Sequence, residues 1–153
     1  MGDFDFLVGT WDVAHRRLAE RHVGSNEWIP FPGTCVSHTF FDGAGSFDEW
    51  TFPTLGFSGA TIRTFDSTTE QWSIYWADSR LGLVMPPVLG RFQAGVGRFY
   101  SDDDDHGRPV RCRLTWCDIT PASARWEQAF SIDGERTWEP NWTMELTRRA
   151  APR

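Results

Sequence analysis

Apolar and polar side chains alternate with a period of two in short blocks along almost the whole chain, and no block carries a long 3.6-residue repeat. Alternation at that period sends successive side chains to opposite faces of an extended backbone, so each block reads as a strand with one face to cover. The blocks fall at residues 10–21, 27–40 with an interruption at 30–33, 46–52, 59–65, 71–78, 88–93, 97–101, 109–118, 124–132 and 138–148. Turn chemistry stands between them: Asp42-Gly43, residues 66–69, 94–97 and 102–107, Thr120-Pro121 and Asp133-Gly134. Ten strands on short connections have only antiparallel neighbours to pair with, and a sheet of that size loses its open edges by closing. The expectation is an all-β fold, an up-and-down antiparallel barrel of about ten strands, with a β-sandwich as the alternative. No repeat or linker divides the 153 residues, so residues 1–153 are read as one domain whose last four residues fray.

Parity then sorts the side chains. The inward rows are Trp72, Ile74 and Trp76; Val110, Cys112, Leu114 and Trp116; Trp126, Gln128, Phe130 and Ile132; and Trp138, Trp142, Met144 and Leu146. Nine Trp and twelve Phe are more ring surface than a core of this size requires, which points to an aromatic-walled lumen. Without a lid after the first strand, the barrel mouth stays open unless residues 52–58 or 79–87 fold across it.

The formal charge is −6, and all fifteen basic residues are arginine. A net acidic chain is poorly suited to nucleic-acid phosphates. The first residues carry acids where a secretory signal has bases, and no stretch is long and apolar enough for a transmembrane helix. The expected compartment is the cytoplasm. Three cysteines with no C-x-x-C pair are read as free thiols, Cys112 and Cys117 pointing to opposite faces.

Candidate chemistry is sparse. His15 shares parity with Trp11 and is taken to face inward. A first hairpin turning near Gly24 pairs His15 with about position 34 and turns His38 inward too. The two imidazoles are then too far apart for a shared metal, and no metal site is expected. Each can hydrogen-bond a guest, or act alone as an acid or base near neutrality. Gln128, flanked on its own face by Trp126 and Phe130, needs a partner for its amide. Arg63, Tyr75, Arg91 and Asn141 are further polar candidates whose facing parity leaves open. The acidic run 102–105 reads as a solvated hairpin tip; it lacks the glycine and closing glutamate of a calcium loop. Residues 131–138 read as a turn in which Asp133 caps backbone N–H groups, resembling the Asp-box hairpin of sialidases. No nucleophile elbow, phosphate loop or dinucleotide fingerprint occurs.

The opening Gly9-Thr10-Trp11 and the late Arg148 resemble the calycin superfamily, the lipocalins and fatty-acid-binding proteins. In that superfamily a Gly-x-Trp sets an indole across the barrel floor and a basic residue packs over it. The span 4–148, with its blocks at 71–78 and 125–131, is similar to bacterial lipocalin-like proteins of no assigned function. The resemblance implies the barrel and a stack of Arg148 on Trp11. It implies neither fatty acid nor haem: the connection at 22–26 is too short for a two-helix lid, the one Arg-x-Tyr triplet (Arg98-Phe99-Tyr100) is mid-chain, and the last histidine is His106. No cofactor is expected. The functional expectation is an intracellular binding protein for a small, largely apolar or aromatic molecule, held by His15, His38, Trp72, Trp76, Trp116, Trp126, Gln128 and Trp142. The alternative is a barrel enzyme, a cyclase, isomerase or hydro-lyase with His15 as proton shuttle. An interaction module with a filled lumen stands third.

Overall fold

The computed structural model describes residues 2–150; the remaining residues expected to fray, 151–153, lie outside that range. Ten strands run in chain order: β1 (Gly9–Leu18), β2 (Trp28–Phe40), β3 (Gly45–Phe52), β4 (Phe57–Asp66), β5 (Gln71–Asp78), β6 (Gly82–Gln93), β7 (Val96–Asp105), β8 (Arg108–Cys117), β9 (Ser123–Ser131) and β10 (Glu139–Arg148). Every sequence neighbour pairs antiparallel, and β1 pairs with β10 to close the barrel. Closure excludes the sandwich.

One end of the barrel is solid. A 3-10 turn, Asp5–Leu7, crosses beneath it. Phe4 there meets Trp72 edge to face at 4.9 Å and Phe92 at 5.2 Å, while Phe6 meets Trp116 at 5.5 Å. The Trp11 indole N–H donates to the Leu7 carbonyl at 2.8 Å. Arg148 lies over the Trp11 ring at 4.3 Å, as expected, and clamps the seam by donating to the Val8, Phe6 and Pro121 carbonyls. Gly9 makes room for it: at φ +123° a Cβ there would come within 2.7 Å of the guanidinium.

Three differences from the expected strands have a cause in the pairing. β2 runs unbroken through Pro30 and Pro32, because its pairing with β3 begins only at Thr34; before that one flank is a free edge, where proline is tolerated. β7 continues through the acidic run to Asp105, pairing with Arg108, and Asp105 is ion-paired with Arg21 at 2.7 Å. The turn is only His106-Gly107; Asp102 to Asp104 are solvent-exposed at the hairpin end as expected, but they belong to its paired strand and not to its loop. β6 begins at Gly82, well before residue 88, despite Pro86 and Pro87. Those prolines are tolerated because they lie in a bulge, residues 85–87, that pairs with neither β5 nor β7. The pairing of β6 with β7 spans only five residue pairs, from Leu89↔Tyr100 to Gln93↔Val96. The 131–138 turn is built as read: Asp133 accepts from the Thr137 backbone N–H at 2.9 Å and from the Ser131 hydroxyl at 2.9 Å.

Candidate functional site

Above the floor the barrel is hollow. A cavity of about 340 Å³ is lined by His15, Trp76, Trp116, Trp126, Gln128 and Trp142, among others. Strand alternation delivers each of them: Trp76 from β5, Trp116 from β8, Trp126 and Gln128 from β9, Trp142 from β10 and His15 from β1. The Trp126 and Trp142 rings meet edge to face at 5.6 Å, and Arg17 caps Trp142 from the mouth at 4.6 Å.

Two of the expected residues stand elsewhere. Trp72 does not line the cavity; it is fully buried in the floor, its indole N–H donating to Asp3 at 2.9 Å. His38 is exposed on the outer wall. The β1–β2 register pairs His15 with Phe31 and not with a residue near 34. A slip by an odd number of residues exchanges the faces of a whole strand. Phe31, Cys35 and Ser37 therefore face inward, and His38 faces solvent. The tail of the expected inward row on β9 also fails, since Ile132 is half exposed beyond the strand end. Trp138 leaves the inward row of β10 because a bulge at Asn141 shifts the phase; it packs instead against Arg113 and Tyr100.

That bulge turns Asn141 inward. Both Asn141 and Trp142 oppose Gln128, whose amide donates to Asn141 Oδ1 at 2.9 Å. The partner Gln128 needs is thus Asn141, and Asn141 Nδ2 is left buried without a hydrogen bond among the described residues.

His15 is caged by rings. It stacks on Phe31 at 4.6 Å and 7°, with Phe52 and Trp142 around it. The Trp142 indole N–H donates to His15 Nδ1 at 3.1 Å, so the neutral ring carries its proton on Nε2. Burial, with Arg17 second, lowers its pKa to about 4. A side chain on Gly33 would come within 2.6 Å of Nε2, so only glycine fits beside it.

Parity left Arg63 open, and it proves to be the buried charge of the lumen. Its guanidinium donates to Asp48 at 2.6 Å and to Ser46 at 3.0 Å and stacks over Phe4 at 4.4 Å. Ser37 donates to the other Asp48 oxygen at 2.7 Å. Asp48 alternates with Ser46, Trp50 and Phe52 on β3, so its inward facing was legible in the sequence. Tyr75 and Arg91 are on the outer side. Among the described residues no group of three or more His, Cys, Asp or Glu side chains is placed to hold a metal. All three cysteines are unpaired.

The architecture is that of a closed ten-strand barrel with a floor and an aromatic lumen. No family model matches the chain, and no curated protein does. Among solved structures it is similar to the S-type phycobiliprotein lyase CPES from Guillardia theta, 10% identical with a TM-score of 0.63, over 97% of this chain and 92% of that one. At that identity the likeness concerns the fold. Among the described residues no helix is long and apolar enough to cross a membrane.

Proposed function

We propose that this chain is a binding protein for a small, largely apolar or aromatic molecule held in the barrel lumen. One observation carries the reading: four indoles from four strands, Trp76, Trp116, Trp126 and Trp142, stand around a hollow of about 340 Å³ instead of filling it. That volume is in the range of small-molecule sites, where apolar walls supply affinity and a few polar groups fix orientation. Gln128 and Arg63, which line the cavity, are the polar groups we assign to that role. A phycobiliprotein lyase built on the same barrel is in keeping with a lumen that holds a small molecule. The unpaired thiols suit the cytoplasm, and the Gly9, Trp11 and Arg148 floor suits a calycin-type lineage.

Proton transfer by His15 is the weaker reading. Its one basic nitrogen already accepts from Trp142, and an imidazole held to a pKa of about 4 is a weak base at neutral pH. His15 instead fixes the orientation of the Trp142 ring.

Titration with methyl 1-pyrenedecanoate, a neutral aromatic probe, tests the proposal through quenching of tryptophan emission. Saturable binding with quenching is expected, and Trp142→Ala should weaken it about tenfold, on the order of 1.4 kcal/mol. Binding unaffected by Trp142→Ala and by Trp126→Ala, or no binding at all, rejects the lumen as the site.

A further inference from the structure

The barrel wall has a gap. Residues 82–88 of β6 make no pair with β7, pairing with β5 alone at 82–84 and 88 and with neither at 85–87, and residues 101–105 of β7 pair with β8 alone. Two strand flanks therefore face each other without a ladder. Free flanks invite an added strand, but these are unsuited to one: Pro86 and Pro87 lack amide protons, and Asp102 to Asp105 line the opposite flank with charge. The gap is built to stay open.

The lumen reaches it from inside, and a second hollow reaches it from outside. That outer groove, about 560 Å³, lies across the outer faces of β6, β7 and β8 and shares Pro86, Ser101 and Asp102 with the lumen's lining. Its floor carries Arg91 and Arg98, which are direct cross-strand partners. Like charges placed opposite each other destabilise a sheet unless an anion lies between them. The Arg98 side chain has no ion pair or hydrogen bond among the described residues, and that of Arg91 has only a 3.5 Å contact with the Thr69 carbonyl. Arg111, at the near end, is committed to Asp102 at 3.2 Å and to Glu135 at 3.6 Å.

We propose that the guest of the lumen is an amphiphile: an apolar ring system in the lumen, joined to a flexible arm that leaves through the β6–β7 gap and ends in an oxyanion bound between Arg91 and Arg98. This rests on the lumen-binding reading and adds the chemical class of the ligand. The arm has a minimum length. Arg91 and Arg98 lie two residues beyond the Leu89–Tyr100 pair that ends the gap, roughly 7 Å along the strands. Asp102 and Asp103 repel an anion that stops short. Carboxylate and phosphate termini share this chemistry.

Four probes separate the possibilities: 1-pyrenebutanoate, 1-pyrenedecanoate and the methyl ester of each. The long acid should bind about tenfold tighter than its ester at low salt, a preference that shrinks as salt screens the arginines. The short acid should show no such gain. Arg91→Gln/Arg98→Gln, both on the outer surface, should abolish the long acid's advantage and leave ester affinity unchanged. Two results overturn the proposal while leaving the lumen reading intact: a long acid no better than its ester, or an advantage that survives the double substitution. An advantage lost instead in Arg17→Gln/Arg80→Gln, the two further arginines that line the cavity, would route the arm through the mouth and also reject the gap. If neither acid nor ester binds, the lumen reading itself fails and this proposal with it.

Discussion

His15 is a base placed where protonation is costly. Phe31, Phe52 and Trp142 surround it, and the Trp142 indole N–H occupies its only lone pair. Its pKa of about 4 in the folded state lies below the ordinary 6.5, so between those values the unfolded chain holds more protons. Stability must then fall as pH drops from about 6.5 toward 4 and level out below that, with on the order of 3 kcal/mol at stake. The carboxyls of Asp78, hydrogen-bonded by Arg80, and Asp133, hydrogen-bonded by Thr137, are lowered to about 2, so their losses come at more acid pH. Denaturant midpoints at pH 7 and pH 4.5 should show wild type losing about 2 kcal/mol more over that interval than His15→Gln. Equal losses would mean the imidazole accepts a proton without opening its cage.

At the scale of the strand, the gap between β6 and β7 has a direct readout. The amides of residues 101–105 that point into it have no ladder partner, whereas those of 97–100 are paired on both flanks. Hydrogen exchange of the free protein should therefore divide β7 into a slow half and a half in which gap-facing amides exchange orders of magnitude faster. Uniform protection along β7 would mean that the gap is closed in solution. This feature was hidden in the sequence for the reason that hid two others. Pro86 and Pro87 read as a loop, and Pro30 and Pro32 as a break, because proline excludes a residue from a two-sided ladder; Pro30 and Pro32 lie where the ladder has one side, and Pro86 and Pro87 in a bulge where it has none. His38 was misplaced by register, which a nine-residue connection such as 19–27 does not determine. By contrast Trp76, Trp116, Trp126, Trp142 and Gln128 were legible, since each belongs to an unbroken run of alternation within its strand. Asn141 was not, because a bulge has no periodicity of its own.

The whole molecule is held shut at one seam. Nine of the ten pairings join strands consecutive in the chain, and the tenth joins β1 to β10, with Trp11 opposite Arg148. Arg148 ties that seam to the floor by its hydrogen bonds to Val8, Phe6 and Pro121, all distant from the lumen. Arg148→Ala should lower stability by about 2 to 4 kcal/mol, since it removes charge-assisted bonds and a ring stack together, yet leave affinity for methyl 1-pyrenedecanoate within about twofold. A variant as stable as wild type would show the seam to be held by the strand ladder alone. The same seam orders events in time. Each hairpin closes a short loop, but β1 and β10 meet only after nearly the full length of chain is gathered, which carries the largest loop-closure entropy and comes late. Contacts formed after the folding barrier slow unfolding without speeding folding. The guanidinium of Arg148 therefore acts as a latch on the finished barrel, governing how long it stays closed and not how quickly it forms.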